Sequence, residues 1–182
     1  AAGSAIWFGG RRYGCDEKGR TLIPFSNEPG KRSPVIETPG GFASLAHFQH
    51  PSESYNLHAG IRLEREALRP GAKATIMVRP TLTVAEQPIS LTRLEKVRLV
   101  LVSTDLDGVS TTSTVNNFKI ASDRESTHVI RVPDRLSSLN IRLVATTKMA
   151  SQGQKEIELS ANQTFMINGQ LRSDRIKDLF LS

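Results

Sequence analysis

Along most of the chain apolar and polar residues alternate with a period of two, in runs of strand length separated by Gly, Pro, Asp and Asn. Ala74, Ile76, Val78 and Leu82 alternate with Thr75, Met77, Arg79 and Thr81, which predicts a strand with one buried face and one wetter face. From Val97 to Val102 both faces are apolar, so this strand is expected at the centre of a sheet and covered on both sides. Asp105-Leu106-Asp107-Gly108 follows with turn chemistry, because Asp bonds its own backbone and Gly accepts a positive φ. The next strand is placed through Val115, Phe118 and Ile120, which makes the pair a hairpin. After a turn at Asp123-Arg124-Glu125-Ser126 comes a strand from Val129 to Val132, ended by Pro133, which cannot donate to a ladder. Leu139, Ile141, Leu143 and Ala145 carry the next strand, and Ile157, Leu159, Ala161, Phe165 and Ile167 the last.

No strand–helix–strand rhythm is present, and strands joined by short turns at this spacing predict an all-β, antiparallel β-sandwich. Ser90 to Glu95 predicts a helical turn. The opening of the chain has a different texture: Gly9-Gly10, Pro29-Gly30, Pro34, Pro39-Gly40-Gly41 and Pro51 break it into short pieces. Tyr13 to Cys15 and Thr21 to Phe25 read as a hairpin around Asp16-Glu17-Lys18-Gly19, and Gly9-Gly10 as a flexible entry. Phe42, Leu45 and Phe48 fit a single amphipathic turn. The expected organisation is a hairpin-rich extension over 1–58, a sandwich over 59–168 and a tail over 169–182. In that tail Ile176, Leu179 and Phe180 would share one face of a short helix behind Ser173 as N-cap, whereas strand geometry would group Ile176, Asp178 and Phe180. Whether the extension folds separately or packs with the sandwich stays open at this level.

With 182 residues, 38% of them hydrophobic and 23% charged, the chain is long enough to bury a substantial core. No apolar run has the length of a membrane span, so no membrane insertion is expected. The net charge of +6 admits a polyanionic partner only if basic residues converge on one face. The arginines are instead spread at about one per predicted strand. The candidates for such a face are Arg62, Arg79, Arg98 and Arg142, which would meet nucleic acid or an acidic polysaccharide. Aromatic residues make up only 5%, leaving few platforms for stacking single-stranded bases. The single cysteine, Cys15, excludes an internal disulfide and any multi-cysteine metal site.

Leu63 to Ala74, with its Pro70-Gly71 turn, followed by Ile76, Val78, Arg79 and Pro80, resembles the opening of a macroglobulin-type domain. The Val97 to Thr104 strand, the Asp107-Gly108 turn and the strand end at Pro133 are similar to the same pattern, so the resemblance covers roughly residues 60–167. It implies a β-sandwich that stands in tandem with others. That family's internal thioester is made by a Cys and a Gln in a Gly-Cys-Gly-Glu-Gln run. Gly14-Cys15-Asp16-Glu17-Lys18 is only superficially similar, because Lys18 brings an amine where the thioester needs a glutamine carbonyl.

His47, His50, Glu53 and His58 are the one concentration of potential metal ligands, but His47 and His50 share a face only in a helix, and Pro51 would end it. Asp105, Asp107 and Gly108 lack the closing Glu of a calcium loop and read as a turn. No Gly-x-Ser-x-Gly elbow or phosphate-cradling Gly-x-x-x-x-Gly-Lys loop occurs, and His128 falls inside an alternating strand. No metal, cofactor or catalytic residue is therefore assigned. The expected function is a non-enzymatic structural or protein-binding module of a larger, extracytoplasmic protein, with neighbouring domains as partners through sheet faces or strand edges. The alternative is the polyanion-binding module. A third reading, an enzyme with a loop-built active site, would need a deep pocket holding His47, His50 or His128 beside a carboxylate.

Overall fold

The structure, a computed structural model, describes residues 3–167; the expected helix or strand over 173–181 lies outside them. The described residues form an all-β, antiparallel fold, with three single-turn 3-10 segments. The chain divides into two compact units, Ala1–Ser54 with Met149–Lys155, and Tyr55–Lys148 with Glu156–Ser182.

The first unit is built from six short strands: β1 (Ala5–Phe8), β2 (Arg11–Gly14), β3 (Gly30–Arg32), β4 (Val35–Glu37), β5 (Ala43–Leu45) and β6 (Phe48–His50). They make a sheet in the order β2-β1-β4-β5 and a separate β3-β6 ladder. Gly9 and Gly10, at φ +56° and +73°, form the two-residue turn that joins β1 to β2. They are a structural turn and not a flexible entry. Tyr13 consequently pairs with Ile6, and the expected partner segment 21–25 is not a strand. The Asp16 turn is present all the same: its Oδ1 accepts from the backbone N–H of Lys18 (3.0 Å) and Arg20 (2.8 Å), and Gly19 takes φ +74°. Phe42, Leu45 and Phe48 lie in and beside β5 and β6, not on a helical turn.

The second unit holds the long strands: β7 (Tyr55–Leu63), β8 (Lys73–Val84), β9 (Gln87–Ile89), β10 (Glu95–Asp105), β11 (Ser110–Val115), β12 (Ser126–Arg131), β13 (Leu136–Met149) and β14 (Lys155–Met166). One sheet runs β12-β8-β7, with β9 beside the far end of β8; the other runs β11-β10-β13-β14. Alternate residues of the two sheets meet in one core. Ile76, Val78 and Leu82 come from β8, Leu99 and Leu101 from β10, and Leu139, Ile141, Leu143 and Ala145 from β13. β10 lies between β11 and β13, as its two apolar faces require, and Val100 on its outer side is also buried. The helical turn appears at Leu91–Arg93 with Ser90 as N-cap. Thr146 and Thr147 are buried near it with satisfied hydroxyls, donating to the carbonyls of Glu95 (3.3 Å) and Arg93 (3.1 Å).

The tight turn from β8 to β9 carries a cost that can be removed. Ala85 and Glu86 occupy it at φ +46° and +65°, a conformation that disfavours any side chain with a Cβ. Asn-Gly is suited to both positions. The double substitution Ala85→Asn, Glu86→Gly is expected to raise unfolding free energy by about 1–2 kcal/mol in urea titrations.

Candidate protein-interaction site

The residues the sequence offered as a metal cluster are not gathered into a ligand set among the described residues. The Nδ1 of His47 lies 2.8 Å from the Ser33 hydroxyl. His50 is buried at 3% exposure, edge-on to Phe8 (5.3 Å) and Phe48 (5.6 Å). Glu53, also buried, accepts from the backbone N–H of Ala150 (2.9 Å) and Ser151 (2.7 Å), which fixes the loop Met149–Lys155. His58 stands on the outward side of β7. The Nε2 of His50 has no hydrogen-bond partner among the described residues, and a buried unpaired nitrogen is destabilising. His50→Phe keeps the ring packing and removes that atom. It is expected to stabilise the first unit by about 1 kcal/mol, read from the fluorescence of Trp7 during unfolding; a loss of stability would show that the imidazole makes a bond of its own.

Asp105 closes the β10–β11 turn as expected. Its Oδ1 accepts from the N–H of Asp107 and Val109, both at 2.9 Å, and Gly108 takes φ +84°. Asp107 pairs with Arg135 at 3.0 Å. His128 is on the inward side of β12, opposite Ile76.

The four arginines do not converge. Arg62 stands opposite Met77 and Arg79 opposite Gly60, so both lie on the outer face of the β12-β8-β7 sheet. Arg98 stands opposite Val144 and Arg142 opposite Val100, on the outer face of the other sheet. The single arginine face is thereby corrected to two pairs on opposite sides of the core. Arg98 is also engaged by Glu158 at 2.6 Å, beside Lys96–Glu156 (2.6 Å) and Lys148–Glu95 (2.8 Å). These pairs offset the charges of Lys96, Arg98 and Lys148 on that face.

Among the described residues, two surfaces combine exposed apolar groups with strand geometry. In the first unit, Trp7, Val35 and Leu45 stand directly opposite one another across β1, β4 and β5, at 47%, 36% and 63% exposure. Glu37 holds this row at one edge, accepting from Trp7 Nε1 (2.9 Å) and Arg12 Nε (3.0 Å). Those two donors, Trp7 first, keep the Glu37 carboxyl below its ordinary range. The row was not legible as a surface, because it is spread over three strands of three or four residues each.

In the second unit a cleft of about 400 Å³ opens between β11 and β12, the terminal strands of the two sheets. Its floor is apolar: Leu101, Ile130, Leu136 and Leu139. Register turns Thr111 and Ser113 to the same side as Ser103 and Leu101, so these two inward positions of β11 carry hydroxyls and are exposed. β11 contains no charge, proline or glycine, whereas β7, β12 and β14 each carry charged residues. An edge without these protections leaves its backbone donors and acceptors open to another strand.

The chain matches the family of the AbpF third immunoglobulin-like domain over residues 64–173. It is also 30% identical over 184 residues to actin-binding protein F of Dictyostelium discoideum, a match that covers 98% of this chain and 8% of that protein. The chain thus spans a small part of the relative, and the similarity runs through both units. The strand order agrees: β7, β8 and β12 correspond to A, B and E of an immunoglobulin sandwich, and β11, β10, β13 and β14 to C′, C, F and G. This corrects the macroglobulin resemblance, whose Pro70-Gly71 turn, with Gly71 at φ +73°, is of a kind many sandwiches use to enter a strand. The sandwich stands, and the chain belongs to the family of the AbpF third immunoglobulin-like domain.

Proposed function

We propose that the chain is a structural, protein-binding module of a larger actin-associated polypeptide, acting through its sheet faces and strand edges and running no reaction. The observation that carries this reading is the family match across the strands β8 to β14, to a domain described as the third of its kind in its parent. A third domain implies others along the same polypeptide, and a module of that sort contributes spacing and contact surface. The relative is named for binding actin, which supports actin filaments or neighbouring immunoglobulin-like domains as the partners. Each pairing would draw on exposed apolar rows and open edges of the type found on β1, β4, β5 and β11.

The test is retention of the purified chain by actin filaments in a pelleting assay and by the adjacent domains of its parent polypeptide on a sensor surface. Saturable binding to at least one is expected. Binding to neither, or turnover of a substrate by the isolated chain, would overturn the reading.

A further inference from the structure

We propose that the cleft between β11 and β12 is a receptor groove for an extended peptide of another protein, which adds as a strand to the free edge of β11. The inference rests on the protein-binding reading above and names the site and the partner's chemistry. Three independent features meet there. The edge of β11 is six residues long and made only of Ser, Thr and Val, so no charge or proline repels an incoming backbone. Beside it lies the cleft of about 400 Å³, floored by Leu101, Ile130 and Leu139, where alternate side chains of an added strand would be buried. The inward positions Thr111 and Ser113 carry small hydroxyls where a large aliphatic would have filled the space.

Charge sets the polarity of the partner. The lining includes Asp105, Asp134 and Arg131 at the end where β10 and β12 finish and β13 begins; register turns Arg131 to the outer side with Lys73, its guanidinium towards Gly71. Two acidic residues, with the one arginine turned to the outer side, make this end locally acidic on a chain whose net charge is +6. The fitting partner is therefore an extended segment with aliphatic residues at alternate positions, small hydroxyl residues between them, and a lysine or arginine at the end over Asp134. Backbone pairing supplies the affinity, and the apolar floor with the acidic end supplies the selection.

The test uses the full chain and a fluorescent peptide of about eight residues alternating Val and Thr behind one Lys, long enough at roughly 3.3 Å per residue to pair with all of β11. Binding is expected in the micromolar range, with amide shifts in two-dimensional NMR spectra centred on β11, Ile130 and Asp134. Methylating alternate backbone nitrogens of the peptide, so that it cannot form a ladder, should weaken it about tenfold or more. Ser113→Lys, at an exposed position that leaves the core untouched, should do the same, and Thr111→Lys provides a second variant should the first unfold. The groove is wrong if the methylated peptide binds equally well, if shifts fall elsewhere, if both folded lysine variants bind normally, or if β11 only pairs with a second copy of this chain. Such a failure alongside intact capture by neighbouring domains or actin would remove the groove alone.

Discussion

Leu143→Ala is expected to destabilise the sandwich by about 3–5 kcal/mol, a large part of the stability of a domain this size. Leu143 is fully buried at the middle of β13, opposite Leu99 of β10, where the two sheets meet. Truncation removes the transfer energy of the side chain and leaves a cavity that the ladders on either side of β13 prevent from collapsing. No internal disulfide ties the two sheets across the core, because the only cysteine, Cys15, lies in the first unit. Antibody domains place a disulfide between strands B and F. Here the corresponding β8 and β13 present Ile76, Val78, Ile141 and Leu143, so aliphatic packing carries the whole of that tie. Urea unfolding followed by circular dichroism measures the loss. A change under about 1 kcal/mol would mean that the two sheets do not close on this residue.

The second large effect is expected at Glu53. Its buried carboxylate accepts two backbone N–H groups, from Ala150 and Ser151, at 2.9 and 2.7 Å. Hydrogen bonds to a charged acceptor are the strong ones, and deleting the acceptor leaves both donors short of a partner. Glu53→Ala should cost about 3 kcal/mol, and Glu53→Gln, which keeps a neutral oxygen, about half of that. The readout is local. The single tryptophan, Trp7, belongs to the same unit, so its fluorescence transition should shift to lower urea with each variant. Equal effects of Ala and Gln would indicate that packing, not the carboxylate, holds the loop Met149–Lys155 in place.

The long strands were legible because their chemistry is local. In β8 the parity of Ala74, Ile76, Val78 and Leu82 states which residues face inward, and the structure keeps that parity without exception from Lys73 to Val84. The turns at Asp105 and Asp16 were legible for the same reason, since an Asp bonds to backbone two to four residues away. β11 was placed too late, at Val115 to Ile120, because Ser110 to Thr114 shows no apolar alternation. Its strand character comes from β-branched threonines and from pairing with β10, while Asn117 at φ +53° ends it before Phe118. The strands of the first unit, three or four residues long, offer too few positions for a period of two to be recognised.

Strand order was not legible at all. Alternation says which side chains are inward, yet it is silent on which strand lies beside which. A macroglobulin-type and an immunoglobulin-like sandwich therefore read alike, all the more without the Cys and Trp spacing that marks antibody domains. The same gap explains the arginines. Arg62, Arg79, Arg98 and Arg142 were read as candidates for one exposed face, and only the pairing of β8 with β7 and of β10 with β13 separates them into two opposed pairs. It explains the cleft too, since Thr111 and Ser113 become its wall only once β11 ends one sheet and β12 the other.

The central claim is that this module works by holding other proteins on the outer surfaces of its strands. Cross-linking with mass spectrometry on the longer parent polypeptide, mixed with actin filaments, tests it most directly. The account predicts links from lysines of this region, such as Lys31, Lys119 or Lys155, to actin or to an adjacent immunoglobulin-like domain. A region linked only to itself under conditions where the rest of the polypeptide is cross-linked to its partners would contradict it.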